Sequence, residues 1–304
     1  MRVDFRAEQG ALFDLSARAK LRLSGADRLR YLNGQISNDA RKASETQTIR
    51  ACVLSAKGKI NADVFLTVDG ESFLLDTETA MRDALTARLD RYIIADDVQI
   101  DDVTEQFALF HVTREASPSA PADARLVRAD RFACAGTDIW VAAAHHDEVL
   151  AELSERFPRC DDNCAETFRI ERGVPRWGHE LTEEIIPTEA NLEAAAIDYA
   201  KGCYIGQEVI SRIKMSGQTN KRLCGLVAAS GERMEAGMRL LSAADAKDVG
   251  WITSVAMSPR LGRQIGLGFI KRGFQEVGAE LNAARQDGSG CVRVAVATLP
   301  FVER

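Results

Sequence analysis

The feature that most constrains the fold is a change of pattern near residue 222. Beyond it, hydrophobic residues come in short runs divided by glycine, at 223–227, 238–241, 249–255, 264–269 and 292–297. Runs of that length bounded by turn residues are strands rather than helices. Several of them at regular spacing close into a small barrel or sandwich. The boundary falls at 217–221, so residues 217–304 are expected to form a C-terminal β-barrel domain and residues 1–216 a separate region.

Upstream of that boundary, helix and strand patterns alternate. Ser24 and Asp27 have the spacing of a capping box, opening a helix with Leu29, Leu32 and Ile36 on one apolar face and a stop near Asn33-Gly34. Residues 50–55 and 63–68 read as strands on either side of a turn at Lys57-Gly58-Lys59. Asp69-Gly70 is a strong hairpin signal, with the chain returning through 72–75. Met81, Leu85, Leu89 and Tyr92 recur at helical spacing, followed by strands at 98–103, 107–112 and 139–142. Val149, Leu150, Leu153 and Phe157 mark another helix, and 165–172 one more, ended by Gly173-Val174-Pro175. The small, proline-bearing stretch 116–122 reads as a loop. Residues 177–200 have no period at all, and a long aperiodic segment inside a compact protein usually serves function. This mixture is of the α+β class.

That segment runs into Lys201-Gly202-Cys203-Tyr204-Ile205-Gly206-Gln207-Glu208. A polar octapeptide with two glycines around a thiol is a poor core segment and a good site loop, although an isolated cysteine is more often a buried small hydrophobe. Lys201, two residues away, lowers the thiol pKa if the loop brings amine and sulfur together. Tyr204 and Ile205 are expected to anchor the turn, with Lys201 and Glu208 on its polar side.

The octapeptide resembles the signature of the YgfZ-type folate-binding proteins of iron–sulfur cluster maturation, relatives of the glycine cleavage T-protein aminomethyltransferase. Four further stretches occur in the expected order: Leu32-Asn33-Gly34-Gln35-Ile36-Ser37-Asn38-Asp39, Lys57-Gly58-Lys59-Ile60, Arg169-Ile170-Glu171-Arg172-Gly173-Val174-Pro175 and Val249-Gly250-Trp251-Ile252-Thr253-Ser254. The resemblance implies a three-lobed, cloverleaf arrangement around a central folate cleft, with two mixed lobes and the barrel. It implies tetrahydrofolate or a derivative as cofactor, with Glu171 on the pterin and Lys201 on the glutamyl tail. Asp63, Tyr204 and Gln207 complete the expected cofactor-binding set, and Cys203 is the expected reactive thiol.

Glu171 has a plain alternative as an exposed helix charge or a partner of Arg169 or Arg172. Asp63 has one as a structural hydrogen-bond acceptor. The transferases carry two adjacent acids where this chain has Ala62 and Asp63, and that departure speaks against aminomethyl transfer without excluding folate binding. Three functions stay open: an accessory factor for iron–sulfur cluster assembly or repair, a folate-dependent one-carbon transferase, and an interaction scaffold with a vestigial pocket. The partners implied are iron–sulfur assembly factors or client proteins.

Thirty-nine Lys and Arg against 45 Asp and Glu give a net charge of −6, which argues against a nucleic-acid footprint. No apolar run has membrane-spanning length, and the first residues lack a secretory h-region, so a cytoplasmic location is expected. The seven scattered cysteines form no disulfide framework and fit a reducing compartment. The Cys160/Cys164 pair lacks the second pair that a zinc site needs, and no permanent metal is expected.

Overall fold

The computed structural model describes residues 10–113, 124–229, 232–285, 288 and 290–302. The proline-bearing stretch 116–122 lies outside them. In chain order the elements are β1 (Leu12–Asp14), β2 (Ala19–Ser24), α1 (Arg28–Gln35), β3 (Ile49–Leu54), β4 (Ile60–Asp69), β5 (Ser72–Thr77), α2 (Arg82–Asp90), β6 (Gln99–Asp102), β7 (Phe107–Val112), β8 (Arg125–Ala129), β9 (Gly136–Ala142) and α3 (His146–Arg156). They continue with α4 (Asp162–Glu171), α5 (Glu193–Ala196), α6 (Gln207–Ser216), β10 (Lys221–Ala228), β11 (Arg239–Ser242), β12 (Asp248–Ser258), β13 (Arg263–Lys271), β14 (Glu280–Ala284) and β15 (Cys291–Ala297). The fold is α+β. Its residues divide into two compact units, one of 1–161 with 193–211, the other of 162–192 with 212–304.

The first unit holds a five-stranded sheet in the order β3-β4-β5-β2-β6 and a four-stranded sheet in the order β1-β7-β9-β8. The Asp69-Gly70 hairpin joins β4 to β5, with Asp69 opposite Ser72. Successive strand residues point to opposite faces, and β7 shows the consequence. Ala108, Phe110 and Val112 pack with Val149, Leu153 and Phe157 of the α3 region. Leu109, between them in sequence, belongs instead to a second cluster with Leu74, Val127 and Trp140. Arg131 ties the sheets together. It donates to Asp76 of β5 at 3.0 and 2.7 Å and to Asp138 of β9 at 2.7 and 2.8 Å.

The capping box at Ser24 does not form. Ser24 ends β2, where it pairs with Gln99, and Asp27 accepts a hydrogen bond from the Asp97 amide instead. The helix α1 runs through Gly34 to Gln35 and buries Tyr31, Leu32 and Gln35, while Leu29 is exposed. Tyr92 likewise lies outside α2 and is exposed. One local disulfide, Cys160–Cys164, is present where none was expected. The free thiols are Cys52, Cys134, Cys203, Cys224 and Cys291.

In the second unit, β10-β13-β12-β11-β14-β15 close into a six-stranded barrel. Closure leaves no unpaired edge, since β10 pairs with both β13 and β15. The interior is filled by alternate residues of each strand, among them Leu226, Leu240, Ile252, Leu281, Val292 and Val294. Sequence reading missed β14, whose Leu281 and Ala283 give too short an alternation to stand out from a turn.

Candidate functional site

The octapeptide lies in the first unit, after α5, and its last two residues open α6. Burial separates its residues sharply: Lys201 and Tyr204 are buried, Ile205 and Gln207 half-buried, and Gly202, Cys203 and Glu208 exposed. The Ile205 amide donates to the Gly34 carbonyl at 3.2 Å, and the Gln207 amide to the Tyr204 carbonyl at 3.2 Å. The loop is therefore docked on the end of α1, with the cysteine on its outer side.

Lys201 does not face the polar side. Its Nζ donates to the carbonyls of Asn33, Ile36 and Asn38 at 2.9, 2.6 and 2.7 Å. These are the three hydrogens an ammonium group has to give. Nζ also sits 5.0 Å from the Tyr204 ring centroid. Burial pulls the Lys201 pKa down to about 8, against the opposing pull of the Asp39 and Asp198 carboxylates. A cation placed here holds the loop after α1, and a carboxylate ligand has to displace one of those carbonyls to reach it. The Tyr204 phenol is held up by burial above its ordinary range.

The loop after α1 is fixed from the other side as well. Ser37 Oγ donates to the Ala196 carbonyl at 2.6 Å and accepts from the Cys52 amide at 2.8 Å. Asn38 Nδ2 donates to the Arg50 carbonyl at 2.9 Å. The Arg41 guanidinium grips Asp39 and, outweighing burial, holds its carboxyl at about 2.

Asp63 is closed by Arg50 through a two-pronged ion pair, Nε to Oδ1 at 2.8 Å and Nη2 to Oδ2 at 2.7 Å. Both side chains are about nine-tenths buried. The register explains the pairing: Asp63 stands opposite Cys52 in the β3–β4 hairpin, so Arg50 is its diagonal neighbour on one face.

Glu171 belongs to the second unit, at the end of α4. It is 3% exposed, and its Oε1 accepts the Ser258 hydroxyl at 2.5 Å. Two residues earlier, Arg169 Nη2 donates to Ser254 Oγ at 2.7 Å. Ser254 and Ser258 are both on β12, so α4 is fastened to that strand at two points. Arg169 Nη1 also donates to Glu180 Oε2 at 2.9 Å and to the Val174 carbonyl at 3.1 Å.

Two family models match the chain: the GCVT N-terminal domain over residues 5–117 and the glycine cleavage T-protein C-terminal barrel domain over residues 221–303. The chain belongs to the glycine cleavage T-protein family. The fold of this family member is that of the aminomethyltransferase T of the Bartonella henselae glycine cleavage system, with a TM-score of 0.84 over 97% of this chain and 87% of that one at 18% identity.

Its relatives carry three kinds of name. A mitochondrial iron–sulfur cluster assembly factor of Dictyostelium discoideum (an IBA57 homolog) is 23% identical over 70% of this chain and 61% of its own length. The tRNA-modifying protein YgfZ of Shigella dysenteriae is 28% identical over 71% of each. An aminomethyltransferase of Rubrobacter xylanophilus is 26% identical over 86% of this chain and 76% of its own. The chain thus spans less than two thirds of the first of these.

Sequence reading missed Arg50, Glu180 and Ser258. Arg50 was recoverable from the hairpin register once the turn was placed. Glu180 sits in the aperiodic stretch 177–200, whose only signal was its length. Ser258 lies beyond the quoted motif ending in Ser254.

Proposed function

We propose that the protein is a tetrahydrofolate-binding accessory factor that supports assembly or repair of iron–sulfur clusters in client enzymes, acting in the cytoplasm with Cys203 as its reactive group. The observation that carries this reading is the exposure of the free Cys203 thiol between two buried, anchored residues, Lys201 and Tyr204. A thiolate is both a nucleophile and a ligand for soft metals, and a rigid footing presents it without an ordering cost on each encounter. The iron–sulfur cluster is cargo in this reading, not a resident group.

Folate supplies a one-carbon carrier when bound. The acceptor chemistry of Glu171 fits its aminopyrimidine edge: a carboxylate has about four acceptor positions, and the Ser258 hydroxyl occupies one of them. Glu171 would orient the pterin through charge-assisted hydrogen bonds. Lys201 is kept in this proposal as the residue that shapes the loop carrying Cys203.

Aminomethyl transfer is the weaker reading. One of the two acids of the transferases is Ala62 here, and the other, Asp63, has both carboxylate oxygens held by Arg50. A carboxylate held at both oxygens by one guanidinium has little of its acceptor capacity left to offer a substrate. The deciding experiment is complementation of a strain lacking the gene, assayed for several iron–sulfur enzymes, with wild type, Cys203→Ser and Glu171→Gln. The expected result is rescue by wild type alone. Full rescue by Cys203→Ser removes the thiol from the function, and formation of methylene-tetrahydrofolate from an amine donor selects the transferase.

A further inference from the structure

We propose that Glu180 is a positioning residue for the Glu171 site, acting through Arg169; this rests on the folate reading above. Glu180 is fully buried, and both of its oxygens are engaged. Oε1 lies 2.6 Å from the Ser254 hydroxyl and 2.6 Å from the Thr253 hydroxyl. Oε2 accepts from Arg169 Nη1 at 2.9 Å and from the Arg176 amide at 3.1 Å. One carboxylate therefore joins the helix α4, the turn that follows it and the barrel strand β12.

The chain of restraint runs directly to Glu171. The Arg169 guanidinium spans Glu180, Ser254 and the Val174 carbonyl, while its own carbonyl accepts the Val174 amide at 2.9 Å. The last turn of α4 is thus clamped from both ends of one residue. Glu171 is two positions on, and its carboxylate direction depends on where that turn lies against β12. A side chain that must present two acceptors to a flat heterocyclic edge tolerates little rotation. Removing the Glu180 charge leaves the buried Arg169 short of a partner and lets the turn relax, although Glu166 still binds Arg169 from the solvent side.

The arrangement also accounts for the Val249-Gly250-Trp251-Ile252-Thr253-Ser254 stretch. Its last two hydroxyls are the floor on which Glu180 rests, so they serve the site without lining it.

The test is a double-mutant cycle on tetrahydrofolate affinity by calorimetry, with Glu171→Gln, Glu180→Gln and the pair. Each single variant is expected to lose about tenfold or more in affinity, and the double no more than the weaker-binding single, since both act on one contact. Hydrogen exchange of the amides of 174 and 176–181 is the second readout. It is expected to accelerate in Glu180→Gln and to stay as in wild type in Glu171→Gln. If Glu180→Gln does not fold, Thr253→Val removes one of the two floor hydroxyls with little change of volume and takes its place in the cycle. Wild-type affinity in the Glu180 variant, or losses that add in the double, overturns the positioning role while leaving the folate reading in place. A wild-type protein that takes up no tetrahydrofolate overturns both.

Discussion

Gly58 and Gly206 pack backbone against backbone. A β-carbon on Gly206 would stand 3.3 Å from the Gly58 α-carbon and only 2.6 Å from the Ser55 carbonyl oxygen. A β-carbon on Gly58 would meet Val209 at 2.9 Å. The turn between β3 and β4 is thereby seated on the turn that leads from Cys203 into α6. Two sequence motifs far apart in the chain are one contact in the fold.

The two glycines of the octapeptide are consequently not equivalent. Gly206 has φ +87°, in the left-handed region, and no room for a side chain, whereas nothing lies within 4 Å of a β-carbon on Gly202. Gly206→Ala should cost about 2 kcal/mol or more, from left-handed strain plus the clash with Ser55. Gly202→Ala should stay within about 0.5 kcal/mol of wild type, as exposed substitutions do. Urea unfolding of the two variants makes the comparison, and equal losses would refute the packing argument.

What the sequence revealed and what it hid follow from how far apart the cause and the residue lie. Five of the six barrel strands, the Asp69-Gly70 hairpin and α3 are set by local alternation or helical period, and they appear where those patterns predict. The Ser24 capping box fails because Asp97, seventy residues on, offers Asp27 its amide. Lys201 reads as a surface cation and is a buried one, because its three acceptors are carbonyls of the segment after α1. The expected site residues follow from residue type and motif. Their partners, Arg50, Ser258 and Glu180, are products of strand register and tertiary packing, which no local window contains.

The Lys201 ammonium group predicts a stability effect separate from any ligand. Lys201→Met keeps the length of the side chain and strands the carbonyls of Asn33, Ile36 and Asn38. Each buried acceptor left without a donor costs about 1–3 kcal/mol, less whatever water or relaxation restores. A total loss of about 2–4 kcal/mol is expected in denaturant unfolding, with the slope unchanged. A variant as stable as wild type would mean that the loop after α1 stands without this clamp.

Acid should loosen the two-sheet unit through Asp76. Burial pushes this carboxyl up, but Arg131 and Arg18 outweigh it and hold the pKa at about 2, below its ordinary 3.8. With the folded value depressed, the contribution is complete above about pH 4 and is lost as pH falls towards 2. The shift corresponds to about 2 kcal/mol. Asp76→Asn removes that slope, and at neutral pH it costs about 3–5 kcal/mol because the buried Arg131 loses a charged partner. Unfolding free energies measured from pH 5 to 2 in both proteins check the prediction. Parallel curves would show that Asp76 does not carry the acid response.

Thiol labelling tests whether Cys203 is presented as the fold implies. In the folded protein Cys203 and Cys291 are exposed, Cys134 and Cys224 half-buried and Cys52 buried. Burial also raises the Cys224 thiol to about 11 from 9.0, and pushes Cys52 above its ordinary range. Only the thiolate reacts, so at pH 8 the shift at Cys224 alone cuts its reactive fraction by about a hundredfold. Alkylation with a small reagent under native conditions, read by mass spectrometry, should modify Cys203 and Cys291 first, Cys224 far more slowly, and Cys52 only on unfolding. The comparison with Cys291 then isolates function from mere access. Both thiols are open to reagent, but Cys203 alone is set beside a tyrosine and a lysine whose own positions are fixed by the core. Blocking Cys203 should abolish support of iron–sulfur enzymes in a reconstituted assay, and Cys291→Ser protein should lose that support on alkylation as fully as wild type does. Native labelling of Cys203 no faster than that of Cys52 would show that the loop does not present its thiol at all.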